Sequence, residues 1–498
     1  MTDRVKRYTK EHPYFLWLAL ILLISIFFRT YQIIERLDFA HDGDLASWIV
    51  KDIVVNHHFR LIGQLTTADG IFIGPLYYYL IIPFYLLFNM DPTGAIIPVI
   101  LMGVLTTFSY YFVFSKLYNQ KVGLIAAFFQ AVLISMITFD RRIVPSTPTN
   151  LWSIWLFYVV IMLVRGRQFV LTILGGLVGF IWNIHVALAP ALLAVIPAMV
   201  LNFKFPKLKY ILGFFLILII TSIPLIFFET RHHFSQTLSL INNFSRNHGG
   251  GSGLDKFNLL TIKMGQATDS LFFSPQNFFL DEKRIFLILL LLSAFILPKF
   301  KLITWKELVV LFTWIFGVVA FFTLSSSPVS EYYFASVNVI LIGFVSICLS
   351  YFFQKKWGKY LVLLLLLIIL IKNFWYMTHE NFYHFGYLER KEIVDYIQKD
   401  ALKKGYPCVA ISYMTTPGEN VGFRYLFWLK NMHINEPKSG SPVYTIVIPE
   451  DIADLDGKLI FDHIGLIPPK KTGSPEEIKQ SCSGGNSNLT DPLFGYTE

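Results

Sequence analysis

Two aspartates, Asp42 and Asp44, lie a few residues beyond the first long apolar run of this sequence. Acidic side chains are costly near lipid, so carboxylates at the end of a hydrophobic run require a functional explanation. A carboxylate in such a place can act as a general base, which takes the proton from an attacking hydroxyl. Helix capping is the alternative, because Asp is a preferred N-cap residue and residues 45–55 have a helical pattern. We expect Asp44 to cap this helix and Asp42 to be the reactive carboxylate.

Further polar groups suited to chemistry lie between later apolar runs. Arg141 and Arg142 share one such segment, where their guanidinium groups could hold a phosphate by forked hydrogen bonds. Snorkelling of these arginines to lipid headgroups is the alternative. The other candidates for substrate binding are His185, Arg231, His232, Glu331 and Tyr332. His57 and His58 are expected to be surface residues, because no metal-ligand spacing accompanies them, and no metal ligands are predicted.

The composition is that of a membrane protein. Of the 498 residues, 54% are hydrophobic and 17% aromatic, which is more apolar surface than one soluble core buries. The formal charge of +9 does not indicate nucleic-acid binding, since the basic residues form short clusters between apolar runs. The first run, Tyr14 to about Arg29, has no small-residue cleavage site, so it is predicted to be a retained span.

Apolar runs long enough to cross a bilayer, about 17–25 residues each, recur along most of the chain. They lie at about 14–30, 94–117, 121–139, 150–164, 168–184, 186–203, 209–228, 284–299, 305–324, 333–352 and 357–377. A further run at 72–88 is ambiguous. If it does not cross, every short Lys/Arg cluster falls on the amino-terminal side, as the positive-inside rule requires; if it crosses, all but the first fall outside. We therefore predict about eleven crossings, with 72–88 as an amphipathic helix on the outer surface and its tyrosines at headgroup level.

This topology predicts one chemically active side. The aspartates and all the other candidate residues named above fall outside, whereas the inner loops hold mostly lysine and arginine. Such a distribution is typical of an enzyme of the outer leaflet, because a transporter needs polar groups near the membrane midplane.

The composition changes near residue 378. A helix at 388–404, strands at 408–413 and 443–448 and a second helix at 420–432 predict a small α/β domain on the outer side. We call residues 378–471 the C-terminal domain; 1–377 is the transmembrane domain, and 472–498 is expected to be a poorly ordered tail. Among the cysteines, only Cys408 and Cys482 could pair with each other.

The order of these features resembles the GT-C class of membrane glycosyltransferases, specifically glycosyltransferase family 39, the protein O-mannosyltransferase and aminoarabinose-transferase-like group. Five features carry the resemblance over about the first 350 residues. The first two are Asp42 in the first outer loop and the stretch Ile73-Gly74-Pro75-Leu76-Tyr77-Tyr78-Tyr79, which is similar to that family's proline-proline-leucine-tyrosine-tyrosine stretch. The other three are the loop from Arg141 to Pro148, the turn from Gly179 to His185, and Glu331-Tyr332-Tyr333. Many members have Asp-Glu where this chain has Asp42-Gly43, so either Asp44 supplies the second carboxylate or that role is absent.

The resemblance implies a fold and a reaction. The fold would be a polytopic α-helical membrane protein, GT-C-like, with outer juxtamembrane helices and the small C-terminal α/β domain. The reaction would move a sugar, usually with inversion, from a polyprenyl-phosphate donor to a hydroxyl of a lipid, glycan or protein acceptor. Asp42 would be the base, and Arg141, Arg142 and Arg231 would stabilise the leaving phosphate. Some relatives bind a divalent metal, so one is possible here.

Two other classes of function fit parts of the sequence. A transporter or lipid-carrier flippase would place charged residues in mid-span and show an internal repeat, and the sequence has neither. A non-catalytic membrane scaffold that presents the C-terminal domain would be insensitive to the substitution Asp42→Asn.

Overall fold

The structure of the chain is a computed structural model that describes residues 14–66, 70–202, 204–245, 253–273, 284–325, 329, 331–380, 386–415, 419–452, 457–470 and 473–486. Its first 380 residues are mostly helical. The helices are α1 (Phe15–Thr30), α2 (His41–Val55), α3 (Leu76–Leu87), α4 (Ile96–Leu117), α5 (Gln120–Val132), α6 (Ile134–Phe139), α7 (Thr149–Val164), α8 (Val170–Ile184), α9 (Val195–Val200), α10 (Leu208–Arg231), α11 (Ser235–Ser245), α12 (Leu254–Phe272), α13 (Ile285–Ala294), α14 (Trp305–Leu324), α15 (Asn338–Phe353) and α16 (Gly358–His379). Short 3-10 helices form at Pro92–Ala95, Val186–Ala194 and Glu331–Val337.

These helices confirm the predicted class, a polytopic α-helical membrane protein. Five described helical segments are both long and apolar enough to cross a bilayer: 92–117, 208–231, 305–324, 333–353 and 358–379. Shorter apolar helices occupy most of the other predicted runs, including 15–30, 120–132, 149–164 and 170–184. Apolar side chains of both kinds of helix pack into one large core.

The predicted run 121–139 is not one helix. Leu133 has extended backbone with ψ 126°, and it separates α5 from α6. A break frees backbone carbonyls from intrahelical bonds, and they need other donors. Arg29 supplies these, since its Nη2 donates to the Gln130 carbonyl (2.9 Å) and its Nη1 to the Ala131 carbonyl (3.4 Å). The buried Arg29 guanidinium also pairs with Asp140 at 2.6 Å, so one side chain ties α1 to both ends of α6.

Helix α3 is the run that the charge pattern placed outside the bilayer. It has 12 residues, fewer than the roughly 20 that a crossing helix needs. Its tyrosines Tyr77, Tyr78 and Tyr85 are buried inside the protein, so they face neighbouring helices and not lipid. The reason is packing: α3 lies against α2, and together they join a second hydrophobic core.

The C-terminal domain is a five-stranded mixed sheet with helices. It contains α17 (Tyr387–Lys404), β1 (Val409–Thr415), α18 (Phe423–Leu429), β2 (Ile434–Asn435), β3 (Val443–Ile448), β4 (Leu459–Phe461) and β5 (Ile464–Ile467). The strand order is β2-β1-β3-β5-β4, with β1 parallel to β2 and β3 and the other pairs antiparallel. Its apolar side chains share the second core with α2 and α3, so the domain is packed against the segment that follows α1.

The segment expected to be a poorly ordered tail includes a helix, α19 (Pro475–Ser481). A capping box stabilises its start, because the Ser474 hydroxyl accepts from the Glu477 amide and the Glu477 carboxylate accepts from the Ser474 amide. Cys482, at the end of α19, forms a disulfide with Cys408 at the start of the sheet, as the cysteine count allowed. Residues 487–498 lie outside the described part of the chain.

Candidate active site

Helix α2 carries both predicted carboxylates in its first turn. Its N-cap is Ala40, and no side chain caps it, so the expectation that Asp44 caps this helix is wrong. Asp42 is partly exposed, and its Oδ1 accepts a hydrogen bond from Gln64 Nε2 at 3.1 Å. Acidic residues in the first turn are favourable there, because they face the positive end of the helix dipole.

Asp42 and Asp44 face different surroundings. Successive helical residues are rotated by about 100°, so two residues that are two apart point to nearly opposite sides. Asp44 is 2% exposed, and its charge acts on Arg390, Tyr413 and Tyr425 of the C-terminal domain. Asp44 is therefore turned toward the domain interface, whereas Asp42 is turned toward Gln64.

A short antiparallel pairing brings Gln64 to Asp42. The Gly63 amide donates to the Ile73 carbonyl (2.6 Å), and the Ile73 amide donates to the Gln64 carbonyl (2.9 Å). Gly63 lies against the Tyr78 ring of α3, where an added Cβ would be 2.2 Å from a ring carbon, so only glycine fits. The Tyr78 hydroxyl then donates to Gln64 Oε1 at 3.0 Å. Tyr78, Gln64 and Asp42 form one hydrogen-bonded chain.

His185 lies in the turn between α8 and the following 3-10 helix. Its Nδ1 accepts from the Ala187 amide at 3.1 Å, which caps that helix and leaves the ring proton on Nε2. Burial lowers the pKa of His185 to about 4, although the charge of Asp42 acts in the opposite direction. His185 is therefore neutral at pH 7 and lies within the electrostatic reach of Asp42. Its ring also contacts Tyr333, with ring centroids 5.5 Å apart.

Arg142 and Asp42 line one small polar cavity of about 110 Å³. Asp38, which precedes α2, lines the same cavity, and its Oδ2 lies 3.8 Å from Arg142 Nε. Burial raises the pKa of Asp38, an effect that the nearby cations Arg142 and Arg390 oppose. The second carboxylate beside Asp42 is thus Asp38, which the sequence reasoning did not select.

Arg141 has a different environment from Arg142. Its side chain is buried, with Nη1 donating to the Phe28 carbonyl (3.4 Å) and Nη2 to the Gln32 carbonyl (3.1 Å). These bonds attach the loop after α6 to the end of α1. Of the two predicted phosphate-binding arginines, the structure brings only Arg142 into the cavity with Asp42.

The remaining predicted residues lie on other elements. Arg231 and His232 are exposed at the end of α10, where His232 Nδ1 bonds the Phe228 carbonyl at 2.9 Å. Next to them, Glu229 accepts from the amides of Gln236 and Thr237, so it stabilises the start of α11. The backbone of Glu331 and Tyr332 begins a 3-10 helix, and their side chains lie outside the described part of the structure.

An apolar groove of about 640 Å³ runs beside α3, α4, α7 and α8. One end of it is formed by Tyr77, Pro148, Asn183 and Ile184. Two relations bring this end toward the polar cavity: Pro148 follows the cavity-lining Val144 by four residues, and the charge of Asp42 acts on Tyr77. Ile184 also precedes His185, on which the charge of Asp42 acts as well. The groove and the cavity share no lining residue, and the charge of Asp42 on Tyr77 is the direct interaction between them.

The described residues do not assemble a metal site. No group of three His, Cys, Asp or Glu side chains comes together among them. In the cavity, the Arg142 guanidinium faces one of the two carboxylates, which is unfavourable for a cation at that position. The residues present do not fit a metal ion, so no chemical step is assigned to one.

The fold has counterparts among solved structures, although no protein-family model and no curated protein matches the sequence. ArnT from Cupriavidus metallidurans bound to undecaprenyl phosphate aligns with 91% of this chain and 97% of its own, at 9% identity and a TM-score of 0.58. The apo state of the same protein gives a TM-score of 0.56 at 10% identity, with the same coverage. The Archaeoglobus fulgidus oligosaccharyltransferase AglB, in complex with an inhibitory peptide and a dolichol-phosphate, gives 0.48 at 12% identity over 88% of this chain and 70% of its own. The chain therefore has the GT-C fold, as its sequence predicted.

Proposed function

We propose that this chain transfers a sugar from a polyprenyl-phosphate carrier to an acceptor hydroxyl at the extracytoplasmic face of the membrane, with Asp42 as the general base. One observation carries the proposal: Asp42, which lines the polar cavity with Arg142, acts by its charge on Tyr77, which lines an apolar groove of about 640 Å³. A long hydrocarbon with a phosphate headgroup needs both environments next to each other. The fold shared with ArnT, which was crystallised with undecaprenyl phosphate, supports the same donor class.

The proposed step is a direct displacement at the anomeric carbon. Asp42 takes the proton of the acceptor hydroxyl while the hydroxyl oxygen bonds to that carbon. The bond from the carbon to the phosphate oxygen breaks, and the phosphate leaves with the electron pair on the carrier. The products are the glycosylated acceptor, the polyprenyl phosphate and a protonated Asp42. Release of that proton to solvent restores the base.

Three side chains around Asp42 have supporting roles in the proposal. Gln64 orients the carboxylate through its 3.1 Å hydrogen bond. Arg142 provides the cation that stabilises charge on the departing phosphate. Neutral His185, which follows the groove-lining Ile184, provides an Nε2–H donor. Arg141 would act indirectly, by holding the loop that carries Arg142.

Further substrate contacts are assigned to the predicted residues on other elements. Arg231 and His232 would meet the headgroup region from the exposed end of α10. Glu331 and Tyr332 would reach the acceptor from the 3-10 helix that also holds Tyr333 against His185. The transferred group would be a hexose or a pentose, and the acceptor a lipid, glycan or protein.

Two observations support an extracytoplasmic site. The lysine and arginine clusters assign the Asp42 loop and the C-terminal domain to the side opposite the inner loops. A disulfide joins Cys408 of the same domain to Cys482 of the segment that follows it, and disulfides persist mainly in oxidising compartments. The domain packs directly on α2 and α3, so it shares their side of the membrane.

The proposal is tested by incubating the purified protein in nanodiscs with radiolabelled polyprenyl-phosphate hexoses and pentoses and with candidate acceptors. We expect label in the acceptor and stoichiometric release of polyprenyl phosphate. Movement of a labelled carrier between leaflets with no cleavage of its sugar would instead indicate a flippase and would contradict the proposal. A scaffold would show no sugar transfer and no movement of the carrier with any donor.

A further inference from the structure

We infer that the C-terminal domain holds the 38–44 stretch in its reactive position and that Arg390 of this domain is the positioning residue. The inference rests on the proposed function, because it assigns the domain to the same site. It also gives a role to a domain for which the sequence predicted a fold and no chemistry.

Backbone contacts attach α17 to the chain just before α2. The Tyr387 amide donates to the Leu37 carbonyl at 3.0 Å. The preceding residue, Gly386, is so close that an added Cβ would lie 2.6 Å from the same carbonyl oxygen. The Tyr387 ring packs edge to face on Phe39, with centroids 5.8 Å apart. The first turn of α17 therefore fixes the segment that leads into Asp42.

A second loop of the C-terminal domain makes a similar contact. Gly422 has φ +92°, a left-handed conformation that favours glycine, and a Cβ there would lie 2.9 Å from the Phe39 carbonyl oxygen. The domain thus approaches residues 37–39 from two places, 386–387 and 422. Both approaches are too close for a side chain, so the interface is specific and not a loose contact.

Arg390 joins these two places. Its side chain is fully buried, with Nε donating to the Val421 carbonyl at 3.0 Å and Nη1 to the Gly386 carbonyl at 3.4 Å. Its Nη2 lies 3.6 Å from Glu419 Oε2. One guanidinium therefore holds together the two backbone segments that contact residues 37–39.

The charge of Arg390 also reaches the polar cavity. The acidic groups that act on it are Glu419, Asp38, Asp44 and Glu389. The groups that act on Asp38 are Arg142, Arg390, Asp42 and Glu419. Two arginines therefore act on Asp38, Arg142 of the site and Arg390 of the C-terminal domain. By favouring ionised Asp38, Arg390 maintains the partner that faces Arg142 at 3.8 Å.

Contacts that do not involve Arg390 also hold the C-terminal domain against the rest of the protein, so variants of Arg390 can test its charge alone. The Tyr387 hydroxyl donates to Asp91 Oδ2 at 2.6 Å, and the Tyr425 hydroxyl donates to the Met90 carbonyl at 2.7 Å. Trp48 of α2 packs edge to face on Tyr425, with centroids 5.5 Å apart. Because these contacts hold the domain in place, we expect the charge of Arg390 to be removable without undocking.

The first test is a set of four variants of the full-length protein: Arg390→Met, Arg390→Lys, Glu419→Gln and, as a control on exposed helix surface, Lys403→Met. The assay is kcat/KM for transfer as a function of pH. Transfer requires ionised Asp42 as the base and ionised Asp38 as the partner of Arg142, so a change in the pKa of Asp38 moves the acid limb of this profile. Loss of the Arg390 charge favours protonated Asp38, so the acid limb moves to higher pH in Arg390→Met. Loss of the Glu419 charge moves it to lower pH. Arg390→Lys and the control leave the acid limb in place.

A double-mutant cycle separates positioning from a merely structural role. In an Asp38→Asn background, Arg390→Met and Glu419→Gln should no longer move the acid limb, because the group that responds is gone. Shifts that persist there overturn the inference. If Arg390→Met fails to fold, the half-exposed Glu419→Gln still tests it, and an unmoved acid limb in that variant overturns it as well.

A measurement without substrate distinguishes the two proposals. Amide hydrogen exchange at residues 38–44 should be about tenfold faster in Arg390→Met than in the wild type, since local opening follows the loss of supporting contacts. Equal exchange overturns the inference whether or not transfer is observed. If the wild type transfers no sugar and Arg390→Met still exchanges faster than the wild type, the result contradicts the proposed function and leaves this inference standing.

Discussion

The hydrogen bond from Gln64 to Asp42 gives the sharpest prediction about the site. Gln64 Nε2 lies 3.1 Å from Asp42 Oδ1 and donates a hydrogen bond to that carboxylate. Hydrogen bonds to charged groups contribute about 1.5–3 kcal/mol. If that energy orients the base in the transition state, Gln64→Leu lowers kcat/KM by about 10- to 150-fold.

The matched variants make this prediction specific. Tyr78→Phe removes the hydroxyl that holds Gln64, a neutral bond worth about 0.5–1.5 kcal/mol, so we expect a smaller loss of about 2- to 10-fold. Leu65→Ala is the control, because Leu65 lies in the same paired segment and is 49% exposed. The assay is transfer of labelled sugar, together with the melting temperature of each variant. Wild-type kcat/KM in Gln64→Leu would refute the idea that this bond orients the base.

Three further predictions concern pH, the disulfide and the groove. Burial raises the pKa of Asp38, so the folded state is destabilised as the pH rises and this carboxyl ionises. Asp38→Asn should therefore raise the melting temperature at pH 7. It should leave the melting temperature unchanged below about pH 3.8, the ordinary pKa of an Asp side chain. Cys408→Ser should lower the unfolding free energy of the C-terminal domain by up to about 4 kcal/mol for a loop of 74 residues, which protease protection would detect as a lower denaturant midpoint. Leu80→Trp, at the groove, should raise KM for long-chain donors and spare short-chain ones.

Much of the fold could be predicted because apolar periodicity is a local signal. The predicted strand 443–448 coincides with β3, and the predicted run 150–164 differs from α7 by one residue. The break at Leu133 could not be predicted in this way. It depends on Arg29, which comes from another helix and satisfies the carbonyls that the break exposes. A single-segment pattern carries no information about such a partner.

The candidate site could be predicted in part from equally local signals. Asp42 could be singled out because an acid at the end of a span is rare. Asp38 and Gln64 could not, since a paired segment brings Gln64 to Asp42 and the loop after α6 places Arg142 beside Asp38. The two-residue spacing of Asp42 and Asp44 did contain a usable signal. In a helix that starts at His41, it directs the two carboxylates to opposite sides.

The central claim is that Asp42 is the base, and Asp42→Asn tests it most directly. Asparagine keeps the shape of the side chain and an Oδ1 that accepts the Gln64 bond, but it does not take up a proton at neutral pH. The account predicts that turnover at saturating donor falls by about 10²- to 10⁴-fold, while binding of polyprenyl phosphate and the melting temperature stay at wild-type values. Equal turnover by Asp42→Asn and the wild type would contradict it.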